Sequence, residues 1–227
     1  MSEVKETSIH REFELERMVL FSDAVFAIAI TLLIIEIKFP ELPADYKTAP
    51  YLRKMFEPVA LHFLGFLVSF FVIGMSWAGH LKMFRYLNAY DNGVIFFNLL
   101  SLFFIVAFPF AASGITHFNE GFMFPMLIYI GNIFLINLSN FLLANYIFKR
   151  KPALSIPGHE VEKKFIYLQT KATALILGIC FLIMLTTAIL SDFNGKAIAY
   201  STYSLVIGMP SMKAWLKKYR PKKESKD

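Results

Sequence analysis

The sequence contains one cysteine, Cys180, in 227 residues. A single cysteine excludes an intrachain disulfide and any thiolate-built metal site, and it reads as a small buried apolar side chain. Charge is scarce as well. Asp, Glu, Lys and Arg make up 18% of the chain, where soluble domains carry roughly 25%. Motifs of membrane and soluble enzymes are missing: there is no HExxH and no GxSxG. His10, His62, His80, His117 and His159 have no ligand spacing. A glycine-rich filter of the TVGYG type, an arginine ladder and a long nucleotide-binding loop are missing too. The chain is not expected to be an enzyme, and no cofactor or bound metal is expected.

What the chain does have is long apolar runs, with 56% hydrophobic and 16% aromatic residues. Six of them, at about 18–37, 58–79, 93–112, 122–148, 165–190 and 197–215, approach or exceed the roughly 20 residues that cross a bilayer as a helix. The fold class follows: an all-α polytopic membrane protein with six transmembrane helices. Residues 1–17 would form a cytosolic N-terminal segment, whose polar residues 1–16 can extend the first helix, 18–215 the transmembrane domain and 216–227 a basic cytosolic tail. The first run follows a mixed-charge segment and is longer than the roughly 7–15 residues of a signal-peptide core, so it reads as a retained helix.

The net charge is +6. With six spans and the N-terminus inside, 18 of the 23 Lys and Arg residues fall on the cytosolic side and 5 on the other. This is the positive-inside asymmetry, and it places both termini in the cytosol. The tail "KKYRPKKESK" suits contact with anionic lipid, and nucleic acid is not expected as a partner. Residues 38–57 form the longest outer loop, 149–164 a basic linker, and "YDNG", "SGITHFNEG" and "SDFNG" the turns. Gly208 and Pro210 in the sixth run are expected to permit a bend.

Asp23 sits inside the first run, where a carboxylate costs about 2.5–3.5 kcal/mol on insertion scales. Arg17 is a poor partner: it lies roughly 8–9 Å away along the axis and about 120° around it. Other helices offer better ones. Under this topology Arg17, Ser22, Asp23, Trp77, His80, Asn98 and Ser101 share one layer, which reads as an interhelical hydrogen-bond network. Asn132, Asn137 and Asn140 are expected to make interhelical bonds as well. Ile28, Leu32 and Ile35 lie within about 60° of one another on a helical wheel, and Asp23 lies about 140° from Ile28, on the side of Phe26, Ile30 and Leu33. If one face lines a pathway, the other packs. Thr31 either bonds back to its own helix or, with Ala24 and Ala27, permits close helix packing.

The stretch R-x3-F-S-D-A-V-F-A-I-A-I-T-L-L-I-I-E-I from Arg17 closely resembles the first-helix signature of the bacterial branch of the endosomal/lysosomal potassium channel family. W-x2-H at 77–80 and N-L-L-x-L-F at 98–103 fit its second and third helices. The resemblance implies a tetramer of six-helix subunits without a pore loop, each subunit giving its first helix to the pore. For a chain with one repeat, that means a homotetramer. It also implies a hydrophobic constriction at Ile28, further apolar rings at Leu32 and Ile35, and a selectivity role for Thr31. Arg17, Ser22 and Asp23 would tie the first helix to its neighbours. Ile35 stands where the family often has leucine, and bacterial members are less potassium-selective than animal ones.

The expectation is a potassium-permeable channel of the plasma membrane. Its partners would be copies of itself, the lipid bilayer and permeant monovalent cations, with potassium as the permeant ion rather than a cofactor. The rival reading is a proton-coupled secondary cation transporter, supported by Asp23, His80 and the asparagines of the fourth run. Against it stand the missing inverted repeat and the missing pair of broken helices.

Overall fold

The computed structural model describes residues 2–37, 49–114 and 124–221. Helix α1 spans Ser2–Leu32 and tightens into a 3-10 turn at Leu33–Glu36. Helices α2 (Ala49–Phe84) and α3 (Asn92–Ser113) follow, then α4 (Phe124–Asn145), which widens into one π turn at Tyr146–Arg150. A 3-10 turn at Pro152–Leu154 leads to α5 (Glu160–Leu190), α6 (Gly195–Ser201) and α7 (Tyr203–Lys217). Among the described residues the only β-type pairing is the isolated Leu87–Ser155 bridge.

Among the described residues five helices are long and apolar enough to cross a membrane: Phe13–Ile35, His62–Phe84, Asn92–Ser113, Phe124–Arg150 and Glu160–Leu190. The sixth expected span is not one helix. It is split at Thr202 into α6 and α7. The Ser201 hydroxyl donates to Ile198 O at 2.6 Å, and Leu205 N closes a short turn onto Thr202 O. Such side-chain-to-backbone bonds compete with the helical ladder. The interruption thus precedes Gly208 and Pro210, and α7 runs through both of them.

Residues 2–17 form the first turns of α1, extending the first apolar run. Two other boundaries differ from expectation. The second part of the expected 38–57 loop, from Ala49 on, already belongs to α2. Pro50 sits there in the first helical turn, where no N–H is needed. The rest of that loop, most of "SGITHFNEG" and the end of the basic tail lie outside the described residues. The 149–164 linker is shorter than expected because α5 starts at Glu160. At "SDFNG", Asp192 and Phe193 take positive φ values of 50° and 58°, which reverses the chain tightly.

The interior is layered along the helix axes. One apolar cluster gathers Phe26, Ala29 and Leu33 of α1 with Ile73, Leu102, Ile105, Ile136 and Met184. A second gathers Met83, Val94, Leu143, Ile147 and Ile166, with Met18 and Val19 of α1 against it. Between them α1 to α4 each place polar side chains at one level: Ser22, then Ser76, Trp77 and His80, then Asn98 and Ser101, then Asn140. A buried polar group must find a partner where no water reaches it, so this seam is where the helices are tied.

Candidate functional site

The first helix divides cleanly by side. Ser22, Phe26, Ala29 and Leu33, spaced by four, three and four, are 0–2% exposed. That spacing returns to one face of a helix with 3.6 residues per turn. Ile28, Leu32 and Ile35 lie away from it and are 58%, 40% and 66% exposed. Ala24, Ala27 and Thr31 are exposed as well. Ile35 sits in the 3-10 turn, not on the α-helix the wheel assumes. In a 3-10 turn residues three apart eclipse, which keeps Ile35 nearly in line with Leu32. The Thr31 hydroxyl donates to Ile28 O at 2.9 Å, so the one polar group on the bare face is satisfied within its own helix.

The packed face is held by a directed relay. The Ser22 hydroxyl donates to Met18 O at 2.9 Å, leaving its oxygen free to accept from Asn98 Nδ2 at 3.0 Å. That fixes the amide of Asn98, whose Oδ1 faces His80 Nε2 at 2.8 Å. Nε2 must therefore carry the proton and donate, because an amide oxygen only accepts. Nδ1 of His80 is buried without a partner. The ring is held by packing: it stacks on Phe84 at 4.1 Å between centroids and meets Phe26 at 5.5 Å.

Two further links complete the seam. Trp77 Nε1 donates to Asp23 Oδ1 at 2.8 Å, joining α2 to α1. Ser101 donates to Asn140 Oδ1 at 2.9 Å, and Asn140 Nδ2 donates to Ser76 Oγ at 3.3 Å. Successive positions of α2 thus reach three different helices: Ser76 meets α4, Trp77 meets α1, and His80 meets α3. Six of the seven residues read as one layer take part. Arg17 does not: it is exposed, and no hydrogen bond or ion pair joins it to the layer among the described residues. It lies about a turn and a half below Ser22 and Asp23, and its long side chain can stay in polar surroundings at no cost.

The asparagines of α4 divide differently from expectation. Asn140 bridges helices, but Asn137 Nδ2 turns back to Ile133 O at 2.8 Å on its own helix. Asn132 Oδ1 is buried with no partner. Sequence reasoning did not single out Ser76, although it stands beside Trp77 at the depth of the layer. It also passed over the Ser69–Tyr129 bond of 3.3 Å, for which no local pattern exists. Among the described residues no group of His, Cys, Asp or Glu side chains could hold a metal.

Residues 17–109, which span most of α1 to α3 and hold most of this seam, match the family described as "Endosomal/lysosomal potassium channel TMEM175". A potassium channel of Streptomyces collinus is 36% identical over 102 residues, 45% of this chain and 48% of that protein. The endosomal/lysosomal proton channel TMEM175 of Bos taurus is 31% identical over 123 residues, 52% of this chain and 26% of that protein. The chain thus spans about half the length of the bacterial relative and about a quarter of the animal one. The crystal structure of a lysosomal potassium-selective channel TMEM175 homolog from Chamaesiphon minutus superposes with a TM-score of 0.63 at 23% identity. That likeness covers 86% of this chain and 98% of the other, so the shared fold extends beyond α3.

Proposed function

We infer, from the match of residues 17–109 to the family described as "Endosomal/lysosomal potassium channel TMEM175", that several copies assemble around the bare face of α1 into a cation-conducting pore. The family is one of membrane channels and not of enzymes. The observation that carries the reading is the contrast on α1: Phe26, Ala29 and Leu33 are packed at 1–2% exposure while Ile28, Leu32 and Ile35 are 40–66% exposed. In a homotetramer these residues would form stacked apolar rings. A narrow ring of that kind dewets and blocks ions, and a wider one wets and conducts. Thr31 would stand between the rings, its hydroxyl bonded to Ile28 O. Potassium is the proposed permeant ion, in keeping with what the bacterial relative is named for. The proposed setting is the cell membrane with both termini cytosolic, as the distribution of Lys and Arg suggests.

The test is potassium flux into vesicles carrying equal amounts of folded protein. Ile28→Asn places a polar group of similar size at the narrowest proposed ring and should raise resting flux several-fold. Leu32→Asn should raise it less. Ile30→Asn, on the packed side, should harm folding and open nothing. Flux that is unchanged in Ile28→Asn but raised in Ile30→Asn would put the pathway on the other face. For orientation, a cysteine at Asn194 should react with an impermeant reagent from outside the cell, and one at Lys151 only after permeabilisation. The reverse pattern would invert the topology.

A further inference from the structure

The segment between α4 and α5 is built as a cradle. Leu154 O accepts from Asn88 N at 2.8 Å and from Ala89 N at 3.1 Å, and Ile156 N donates to Tyr86 O at 3.0 Å. These bonds pin the segment to the turn between α2 and α3. Gly158 (φ 80°) and His159 (φ 57°) then turn the chain back into α5, where His159 packs on Tyr86 with centroids 5.7 Å apart. The result is a cavity of about 540 Å³ where the span ending at Arg150 meets the span beginning at Glu160. Small-molecule sites occupy roughly 300–1,000 Å³, so the space suits a head-group-sized ligand.

Its charge is lopsided. Lys149, Lys163 and Lys164 line it against one carboxylate, Glu160. Lys163 is the unusual one, because it is only 6% exposed, and a lysine is almost never buried unless paired. Its ammonium donates to Ile156 O and to Glu160 Oε1, the latter at 3.0 Å. Two of its three N–H groups are thereby used, and the third has no partner among the described residues of the cavity that Lys163 lines. The paired Glu160 is 81% exposed, so it neutralises Lys163 only from the solvent side. Lys149 lies over the Tyr167 ring, 5.3 Å from its centroid, and among the described residues neither it nor Lys164 has a carboxylate partner. The start of α5 adds its positive end without a side-chain cap.

We propose that this cavity is a binding site for a phosphate monoester. Such a group carries about −1.5 to −2 charges and three acceptor oxygens. That matches two uncompensated lysines and the spare donor of a third, and lysine binds phosphate as a point charge without needing bidentate geometry. The monoester could come from the head group of a lipid in the adjoining leaflet or from a soluble metabolite. The site stands on its own geometry and does not depend on where the pore lies.

The experiment uses the full chain in nanodiscs and reads binding by calorimetry or by the shift in thermal unfolding. Glycerol 3-phosphate is the soluble probe. Discs with phosphatidic acid, against discs with phosphatidylglycerol, are the lipid probe. Binding of glycerol 3-phosphate assigns a soluble source. Preference for phosphatidic acid over phosphatidylglycerol without binding of glycerol 3-phosphate assigns a lipid one. In either case Lys149→Ala with Lys164→Ala should weaken binding about tenfold or more, while Lys213→Ala with Lys217→Ala, which removes the same charge from α7, should not. Both lysine pairs are exposed, so the variants should fold. Equal losses in the two double variants, no preference for the monoester lipid with no soluble binding, or no binding at all would overturn the site.

Discussion

The two faces of α1 are made from one stretch of apolar sequence and meet opposite fates. On one side Ser22, Phe26, Ala29 and Leu33 are sealed against α2 and α3, and the only polar group among them is tied into a three-helix relay. On the other, Ile28, Leu32 and Ile35 stay 40–66% exposed. The same contrast holds between helices: 44% of the apolar window of α3 is buried, against 22% for α1 and 17% for α2. Helix α3 belongs to the centre of the subunit, while α1 and α2 are bound to it along one side. What separates the faces of α1 is not hydrophobicity, since both are apolar. It is the placement of the few polar groups, because lipid and protein interior are equally good solvents for leucine and only hydrogen bonds and close packing can tell a helix which side to turn inward.

The largest expected effect breaks the contrast directly. Phe26→Ala removes a ring that is 1% exposed and packs against His80, and such a deletion costs about 3–5 kcal/mol. Ile28→Ala should leave the stability of the isolated subunit within about 0.5 kcal/mol. Thermal unfolding in detergent, under conditions that keep subunits apart, measures both. Comparable losses in the two variants would show that the exposed face is packed after all. Next comes Asn98→Leu, which takes both partners from the relay and strands His80 Nε2 and one side of Ser22. The expected cost is about 1–3 kcal/mol. Asn137→Leu serves as the comparison. It loses only a bond within its own helix and should cost clearly less.

A smaller effect sharpens the role of Asp23. Its carboxylate accepts from Trp77 Nε1, and asparagine can accept the same bond through its amide oxygen. Asp23→Asn should therefore change stability little, while Asp23→Leu leaves the indole N–H without its acceptor. The emission of Trp77 reports this, and since Trp215 is the other tryptophan a Trp215→Phe background isolates it. A shifted spectrum in Asp23→Leu but not in Asp23→Asn is expected. Equal shifts in both would mean that the charge, not the hydrogen bond, sets the environment.

Much of this was legible in the sequence because two of its signals are physical and local. Apolar runs near 20 residues give the spans, and the scarcity of polar groups inside them makes each one conspicuous, which is how Ser22, Asp23, Trp77, His80, Asn98 and Ser101 were picked out. The facing of α1 followed from the 3.6-residue repeat. What escaped depends on partners far apart in the chain. Asn132, Asn137 and Asn140 look alike in sequence, yet only Asn140 finds a neighbouring helix, because only it stands at the level of Ser76 and Ser101. Arg17 falls in the layer only on a coarse reading of depth; five residues before Ser22, it lies lower. The break at Thr202 depends on Ser201 bonding its own backbone, and many threonines and serines in this chain do that without breaking a helix. The cradle at 154–156 rests on main-chain bonds to Tyr86, Asn88 and Ala89, which no side-chain pattern encodes.

The smallest expected effect acts below the seam, on the lower cluster that Met18 and Val19 of α1 pack against. Asp91 caps α3: its Oδ1 accepts from Val94 N at 3.0 Å and its Oδ2 from the Tyr146 hydroxyl at 2.8 Å. Gly93 is required beside it, since a Cβ there would collide with the hydroxyl of Tyr146. Partial burial works against the charge of Asp91, but the bonds from Val94 and Tyr146 outweigh it and hold the carboxyl below its usual range. The sign follows from linkage. A carboxyl whose pKa is lower in the folded than in the unfolded state lets the unfolded chain bind more protons as pH falls. The contribution of Asp91 is thus complete above the unfolded value near 3.9 and is lost as pH drops through the depressed folded value. Asp91→Asn keeps an acceptor for the cap and removes the titration. It should flatten the loss of thermal stability below about pH 4 while leaving stability at pH 7 only slightly lower. Because Asp91 lies outside the bare face of α1, potassium flux normalised to folded protein should not change in this variant. An unchanged acid profile would show that Asp91 does not titrate against the fold. An altered flux would tie the lower cluster to the exposed face and weaken the separation between the two sides of α1.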